Sequence, residues 1–264
     1  MINKELCDKV VAVAKKGGNF IREQRKTFSL SAVEYKGLND LVSYVDKETE
    51  KILVDGLKDL IPDAGFITEE NTITLKDREY VWIIDPLDGT TNFVHGLPCF
   101  CVSIGLMKNG EMVLGVIYEI NLDECFYGWS GGGAWCNGVA IKVSTCNELS
   151  KGLIATGFPY TNYDRMKPYM AVFDYCMHNT HGLRRLGSAA VDLAYVACGR
   201  MEGFFEYGLN AWDVAAGCFL VKEAGGKVSD FKGGDDYVFG KEILACNTGI
   251  HEEFLGVIKN EFSK

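Results

Sequence analysis

The chain of 264 residues is 47% hydrophobic and 24% charged, with a formal net charge of −9 at pH 7. Such a composition furnishes a sizeable core and argues against extensive disorder. The acidic balance excludes a general electrostatic grip on nucleic acid or an anionic membrane, since both depend on Lys and Arg neutralising phosphates; a protein of this sign that handles phosphates needs divalent cations to reverse its field locally.

The opening segment, MINKELCDKVVAVAKKGGNF, is amphipathic and lacks a signal-peptide core, and no apolar run reaches membrane-spanning length, so a cytoplasmic location is expected. Leu6, Val10, Val13, Ala14, Phe20 and Ile21 recur at helical spacing. A second helix is predicted from Leu41, Val45, Ile52, Leu53 and Leu57, after a loop around Gly37. From Phe66 the pattern turns to strands: GFIT, YVWIID, FCVSIGLM, MVLGVIYE and ECFYGW. Asn109-Gly110 marks one hairpin turn, and Asn137-Gly138 marks another before a short strand VAIKVS.

Beyond about Ser150, strands and helices alternate: GLIAT, a helix around Met166 to His178, GLRRL, the helix SAAVDLAYVACG, GFFEY, the helix AWDVAAGCFLVKEAGG, KVSD, EILACN and a last helix. We therefore expect one layered α/β unit over 1–264, built from two packed halves (about 1–148 and 149–264) with a cleft between them. The ten cysteines sit singly, several in apolar runs, and read as reduced; Cys99 and Cys101 lack the spacer of a zinc knuckle.

The stretch YVWIIDPLDGTTNF carries the chemistry. An apolar strand ends at Asp85, Pro86 fixes the backbone, Asp88 follows, and Gly89-Thr90-Thr91 open a helix whose free amides could meet a phosphate oxygen. Two carboxylates around a rigid turn can aim at one point, with the Leu87 carbonyl between them as a further hard oxygen ligand. Each acid taken alone, including Glu69-Glu70 and Asp213, also fits an ordinary capping role. No CxxxxxR loop is present for covalent phosphatase chemistry, and His95 is expected to pack or hydrogen-bond near the cleft. Arg184-Arg185 fits a phosphate contact or a subunit contact equally well.

Taken in order, FITEEN, WIIDPLDGTTNFVHGLP, GAWCNG, LGSAAVDLAYVACG and AWDVAAG resemble the motif series of the inositol monophosphatases over nearly the whole chain. The resemblance implies a five-layered αβαβα fold, a homodimer, lithium sensitivity and about two or three Mg²⁺ ions, with Mn²⁺ as a possible substitute. It further implies that Glu69, Asp85, the Leu87 carbonyl, Asp88 and Asp213 hold metal, and that Asp46 and Thr90 position the attacking water. Gly187, Ser188 and Ala189 match a substrate-contacting loop, to which Asp88, Gly89, Thr90 and Asp213 contribute. Glu206 matches an acceptor of inositol hydroxyls and Glu70 an acid behind the ligands. The sequence departs from the pattern at Thr68 and Asn71, and GFPYTNYD from Gly157 lies in a variable region beside the substrate pocket.

The implied reaction is Mg²⁺-dependent hydrolysis of a phosphate monoester of a small polyol, myo-inositol 1-phosphate first, by in-line attack of water. Fructose 1,6-bisphosphate, 3'-phosphoadenosine 5'-phosphate, NADP and histidinol phosphate are the alternative substrates, and a non-catalytic regulatory or binding protein on the same fold is the alternative of another class.

Overall fold

A computed structural model describes residues 2–29, 33–37, 40–71, 78–159 and 163–263. Helix α1 (Lys4–Arg25) starts where the Asn3 side chain accepts the Leu6 amide at 3.0 Å, and it buries Cys7, Val10, Ala14, Gly17, Gly18 and Ile21 along one stripe. The predicted second helix begins later than its apolar spacing suggested. Val33–Gly37 (β1) and Asp40–Ser43 (β2) pair as an antiparallel hairpin that takes in both Gly37 and Leu41, and α2 runs Tyr44–Lys58. A capping box sets that start: the Ser43 hydroxyl accepts the Val45 amide, while Asp46 accepts the Ser43 amide at 2.9 Å.

A seven-stranded sheet follows, in the order β3 (Gly65–Thr68), β4 (Tyr80–Asp88), β5 (Cys101–Lys108), β6 (Glu111–Glu119), β7 (Glu124–Trp129), β8 (Gly133–Cys136) and β9 (Val139–Ile141). Only the β3–β4 pair is parallel. Both Asn-Gly pairs make the expected tight turns, with positive φ at Asn109, Gly110, Asn137 and Gly138. The strand predicted over VAIKVS stops at Ile141. Strand β4 does not end at Asp85: it continues through Pro86 to Asp88, and its pairing with β5 shifts register between Asp85 and Asp88. Such an irregularity is where a sheet tolerates a proline, and it re-aims the side chains around it. The short helix α3 (Thr90–His95) follows directly.

The second half supplies β10 (Leu153–Thr156), α4 (Met166–Asn179), β11 (Gly182–Arg184), α5 (Ala189–Ala197), β12 (Gly203–Tyr207), α6 (Ala211–Glu223), β13 (Lys227–Ser229), β14 (Glu242–Cys246) and α7 (His251–Phe262). Its five strands lie in the order β11-β10-β12-β14-β13, with β10 parallel to both neighbours and β14 antiparallel to both of its own. Helices α1 and α2 cover one face of the larger sheet, α5 and α6 fill the space between the sheets, and α4 and α7 close the far side. This is the expected αβαβα layering.

One sequence feature brings α6 down onto the larger sheet. Gly105, Gly115 and Gly128 stand opposite one another across β5, β6 and β7. A Cβ on Gly115 would lie 2.7 Å from the Ala216 carbonyl oxygen, and one on Gly105 would lie 3.2 Å from the Ala215 Cβ. Small residues on both surfaces thus allow backbone-to-backbone approach, which sets the height of Asp213 at the head of α6 above β4. Gly115→Ala is expected to force the helix outward and cost about 1–3 kcal/mol, which thermal unfolding should register as a fall of several degrees in Tm.

Candidate active site

A cavity of about 420 Å³ opens where the end of β4, the start of α3, the start of α5, the ends of β10 and β12 and the start of α6 meet. Glu69, Asp85, Leu87, Asp88, Gly89, Thr90, Gly187, Ser188, Ala189, Glu206 and Asp213 all line it. Elements far apart in sequence therefore bring most of the candidate residues to one place. Asp46 and Glu70 do not line the cavity. Asp46 reaches it through Thr90, and Glu70 sits behind, its amide donating to the buried Glu50 carboxylate at 2.8 Å.

The irregular end of β4 gives its two acids different partners. Asp85 is buried and accepts the Leu87 amide at 2.9 Å. Burial first, then the charges of Glu69, Asp88 and Asp213, push its carboxyl well above the usual range. Asp88 accepts the Ser188 hydroxyl at 2.6 Å and the Ala190 amide at 2.7 Å, so the first turn of α5 is docked on it. Burial still raises it, against the pull of those bonds. Asp213, third in α6, accepts the Asn210 amide at 2.7 Å; burial and the neighbouring Asp88 push it to about 7. Glu69 follows β3, its amide bonded to the Ile84 carbonyl.

Among the described residues, no three His, Cys, Asp or Glu side chains stand close enough to hold an ion as they are. The acids bond to backbone amides, and Asp85 stands near enough to Glu69, Asp88 and Asp213 to feel their charges. Burial first raises Asp85, Asp88 and Asp213, and mutual repulsion adds to it at Asp85 and Asp213. Oxygen-only donors rich in carboxylate fit Mg²⁺ or Mn²⁺ and disfavour softer ions.

Thr90 Oγ1 lies 2.9 Å from Asp46 Oδ1 and 2.9 Å from the Leu87 carbonyl, and its single proton can serve one acceptor at a time. The other oxygen of Asp46 is occupied by the Ser43 amide and hydroxyl, so the residue that starts α2 also orients Thr90. Gly89 has φ of 92°, and a Cβ there would lie 2.9 Å from the Cys99 carbonyl oxygen, which explains glycine at the head of α3. Glu206, buried at the end of β12, is pushed to about 8 by burial and by Asp213, with Arg185 opposing.

Two residues at or beside the cavity, Asp192 and Asn92, were not singled out in the sequence. Asp192 is buried with Oδ1 unpartnered, and its mark in the sequence is a lone charge in an otherwise apolar helix. Arg185, left between two readings, lies on the cavity rim with its guanidinium 5.6 Å from the Phe158 ring. Asn92 ties the loops together, donating to the Cys99 and Leu186 carbonyls at 2.8 Å each. His95, by contrast, is exposed at the end of α3 and outside the cavity lining. Of GFPYTNYD, Gly157, Phe158 and Pro159 line the cavity, whereas residues 160–162 lie outside the described residues. The cysteines are unpaired thiols, six of them buried; Cys198 is only half-buried. No helix among the described residues is long and apolar enough to cross a membrane.

Comparison with known proteins agrees with this architecture. The model of the inositol monophosphatase family matches residues 3–261. The Nus factor SuhB of Escherichia coli is 41% identical over 254 residues, covering 96% of this chain and 95% of that protein. An inositol-1-monophosphatase of Mesorhizobium japonicum is 40% identical over 264 residues, covering 100% and 99%. The crystal structure of the extragenic suppressor protein suhB from Bartonella henselae superimposes with a TM-score of 0.90 at 39% identity, covering 96% and 97%. With its motifs, its five layers and its acid-lined cavity, the chain belongs to the inositol monophosphatase family.

Proposed function

We propose that this chain is a Mg²⁺-dependent phosphatase that hydrolyses the phosphate monoester of a small polyol, with myo-inositol 1-phosphate as the preferred substrate and a homodimer as the working form. The observation that carries this reading is one cavity that collects Glu69, Asp85, Asp88, Asp213 and Thr90 together with Glu206, Gly157 and Arg185.

Glu69, Asp85, the Leu87 carbonyl, Asp88 and Asp213 would hold the cations, which when bound supply Lewis-acid charge to the phosphoryl oxygens and ease ionisation of the attacking water. With the Thr90 proton directed to Asp46, the Thr90 oxygen is left as an acceptor for a proton of that water, and the buried Asp46 carboxylate receives the proton Thr90 gives up. Ser188 and the Ala190 amide fix Asp88 from behind, so that carboxylate cannot drift as charge changes. Ionised above about pH 8, Glu206 offers two acceptor oxygens to vicinal hydroxyls of a ring polyol.

The test is phosphate release from a panel of phosphomonoesters with and without Mg²⁺, in which myo-inositol 1-phosphate should show the highest kcat/KM. Assayed above about pH 8, where Glu206 is ionised, Glu206→Ala should lower kcat/KM for that ester about tenfold to a hundredfold, because a hydrogen bond to a charged acceptor contributes roughly 1.5 to 3 kcal/mol. The loss on p-nitrophenyl phosphate, which has no polyol, should be much smaller. Equal losses on the two esters would remove Glu206 from substrate recognition.

A second reading, a regulatory binding role on the same fold, is favoured by the name Nus factor carried by the Escherichia coli relative. It would leave the protein's binding to partners intact when the acids are neutralised, which separates it from catalysis.

A further inference from the structure

Strands β10 and β12 run parallel with Thr156 opposite Phe205, so the next residue on each, Gly157 and Glu206, emerge side by side at the edge that faces the cavity. A Cβ on Gly157 would lie 2.1 Å from Glu206 Oε2 and 2.2 Å from both its Cδ and its Oε1. The carboxylate therefore occupies the space that any other side chain at position 157 would fill. Conformational freedom does not account for the glycine, since Gly157 is absent from the positions of left-handed φ. We propose that Gly157 is a specificity-determining position: the side chain it lacks is the seat of the Glu206 carboxylate, and that seat holds the acceptor against the cavity wall where polyol hydroxyls can reach it. This rests on the reading of Glu206 given above.

Neither backbone is free to yield. The buried Tyr169 hydroxyl donates to the Gly157 carbonyl at 2.6 Å, and the buried Thr156 hydroxyl donates to the Phe205 carbonyl at 2.8 Å. On its other side, β12 is paired with β14, with Glu206 opposite Ile243. What can move is the far end of the Glu206 side chain, which rotates about several bonds. A methyl group at 157 thus displaces the carboxylate into the cavity, toward the volume the polyol needs, while the strands stay paired.

The experiment compares Gly157→Ala, Glu206→Ala and the double variant of the full chain in Mg²⁺, each checked for folding by thermal unfolding. The readout is kcat/KM for myo-inositol 1-phosphate relative to p-nitrophenyl phosphate. Gly157→Ala should lower that ratio about tenfold or more, and should lower it no further in the Glu206→Ala background, because the seat is then empty. Glu206→Asp, one methylene shorter, should restore part of the ratio to Gly157→Ala. A ratio unmoved by Gly157→Ala but shifted by Glu206→Ala overturns this inference alone. If Glu206→Ala leaves the ratio unmoved, the role of Glu206 fails and the seat loses its function with it. An added loss in the Glu206→Ala background would give Gly157 a contact of its own and also overturn the inference. Should Gly157→Ala fail to fold, recovery of folding in the double variant supports the seat, and persistent unfolding refutes it.

Discussion

In excess chelator, phosphate release is expected to fall to the uncatalysed background, and restoring Mg²⁺ should return activity and raise the thermal midpoint together. The acids lining the cavity are buried together: burial raises Asp85, Asp88 and Asp213, and repulsion among them raises Asp85 and Asp213 further. Bringing such charges together unpaired costs several kcal/mol for each buried ion, and divalent cations remove that cost. Binding to the folded state alone stabilises by about 2.7 kcal/mol at a hundredfold excess over Kd. Without metal the sign of the pH dependence follows from the same groups. Asp213 ionises at 3.8 in an unfolded chain but near 7 in the folded one, so the folded state binds more protons between those values. Metal-free stability should therefore fall as pH rises from about 4 to about 7, and saturating Mg²⁺ should abolish or reverse that slope. Undiminished turnover in chelator, with a midpoint indifferent to Mg²⁺, would remove the metal from the reaction.

Much of the fold was legible in the sequence. The alternation of strands and helices after Ser150 and the two Asn-Gly turns are local signals, and the structure follows them closely. The hairpin at β1 and β2 was not legible from spacing, because Leu41 falls in phase with the apolar residues of α2 although it lies in a strand. The capping box of Ser43 and Asp46 was the local signal that would have placed the boundary. Extension of β4 past Pro86 was hidden for a different reason: a proline reads as a strand end unless the neighbouring strand supplies a compensating shift of register, and that shift belongs to the pairing with β5. At the cavity, the motif residues could be named, but their supports could not. That Ser188 donates to Asp88, or that Gly157 lies under Glu206, depends on which strand ends meet. Asp192 and Arg185 share that limit, since a lone charge in an apolar helix and a strand-end arginine acquire meaning only once a cavity is seen beside them.

Asp88→Asn should fold normally and lose about two or more orders of magnitude in kcat, as expected when a charged group that helps hold a catalytic cation is neutralised. The substitution separates the two jobs this side chain does. One is mechanical: its carboxylate receives the Ser188 hydroxyl and the Ala190 amide and so fixes the first turn of α5. An asparagine carbonyl oxygen can accept both bonds, whereas alanine would leave the Ala190 amide without its partner; Asn is therefore the informative replacement. The other job is electrostatic. Asp88 adds to the elevation of both Asp85 and Asp213, so neutralising it relieves repulsion that the metal-free fold must otherwise bear. Opposite signs are expected from one variant: a metal-free thermal midpoint equal to or above that of the parent, and a smaller rise on adding Mg²⁺. Steady-state kinetics at saturating Mg²⁺, with thermal unfolding measured in chelator and in Mg²⁺, test both at once. Turnover near that of the parent would reduce Asp88 to the dock of α5; a lower metal-free midpoint would mean that the bond network, not the charge, was what the substitution disturbed.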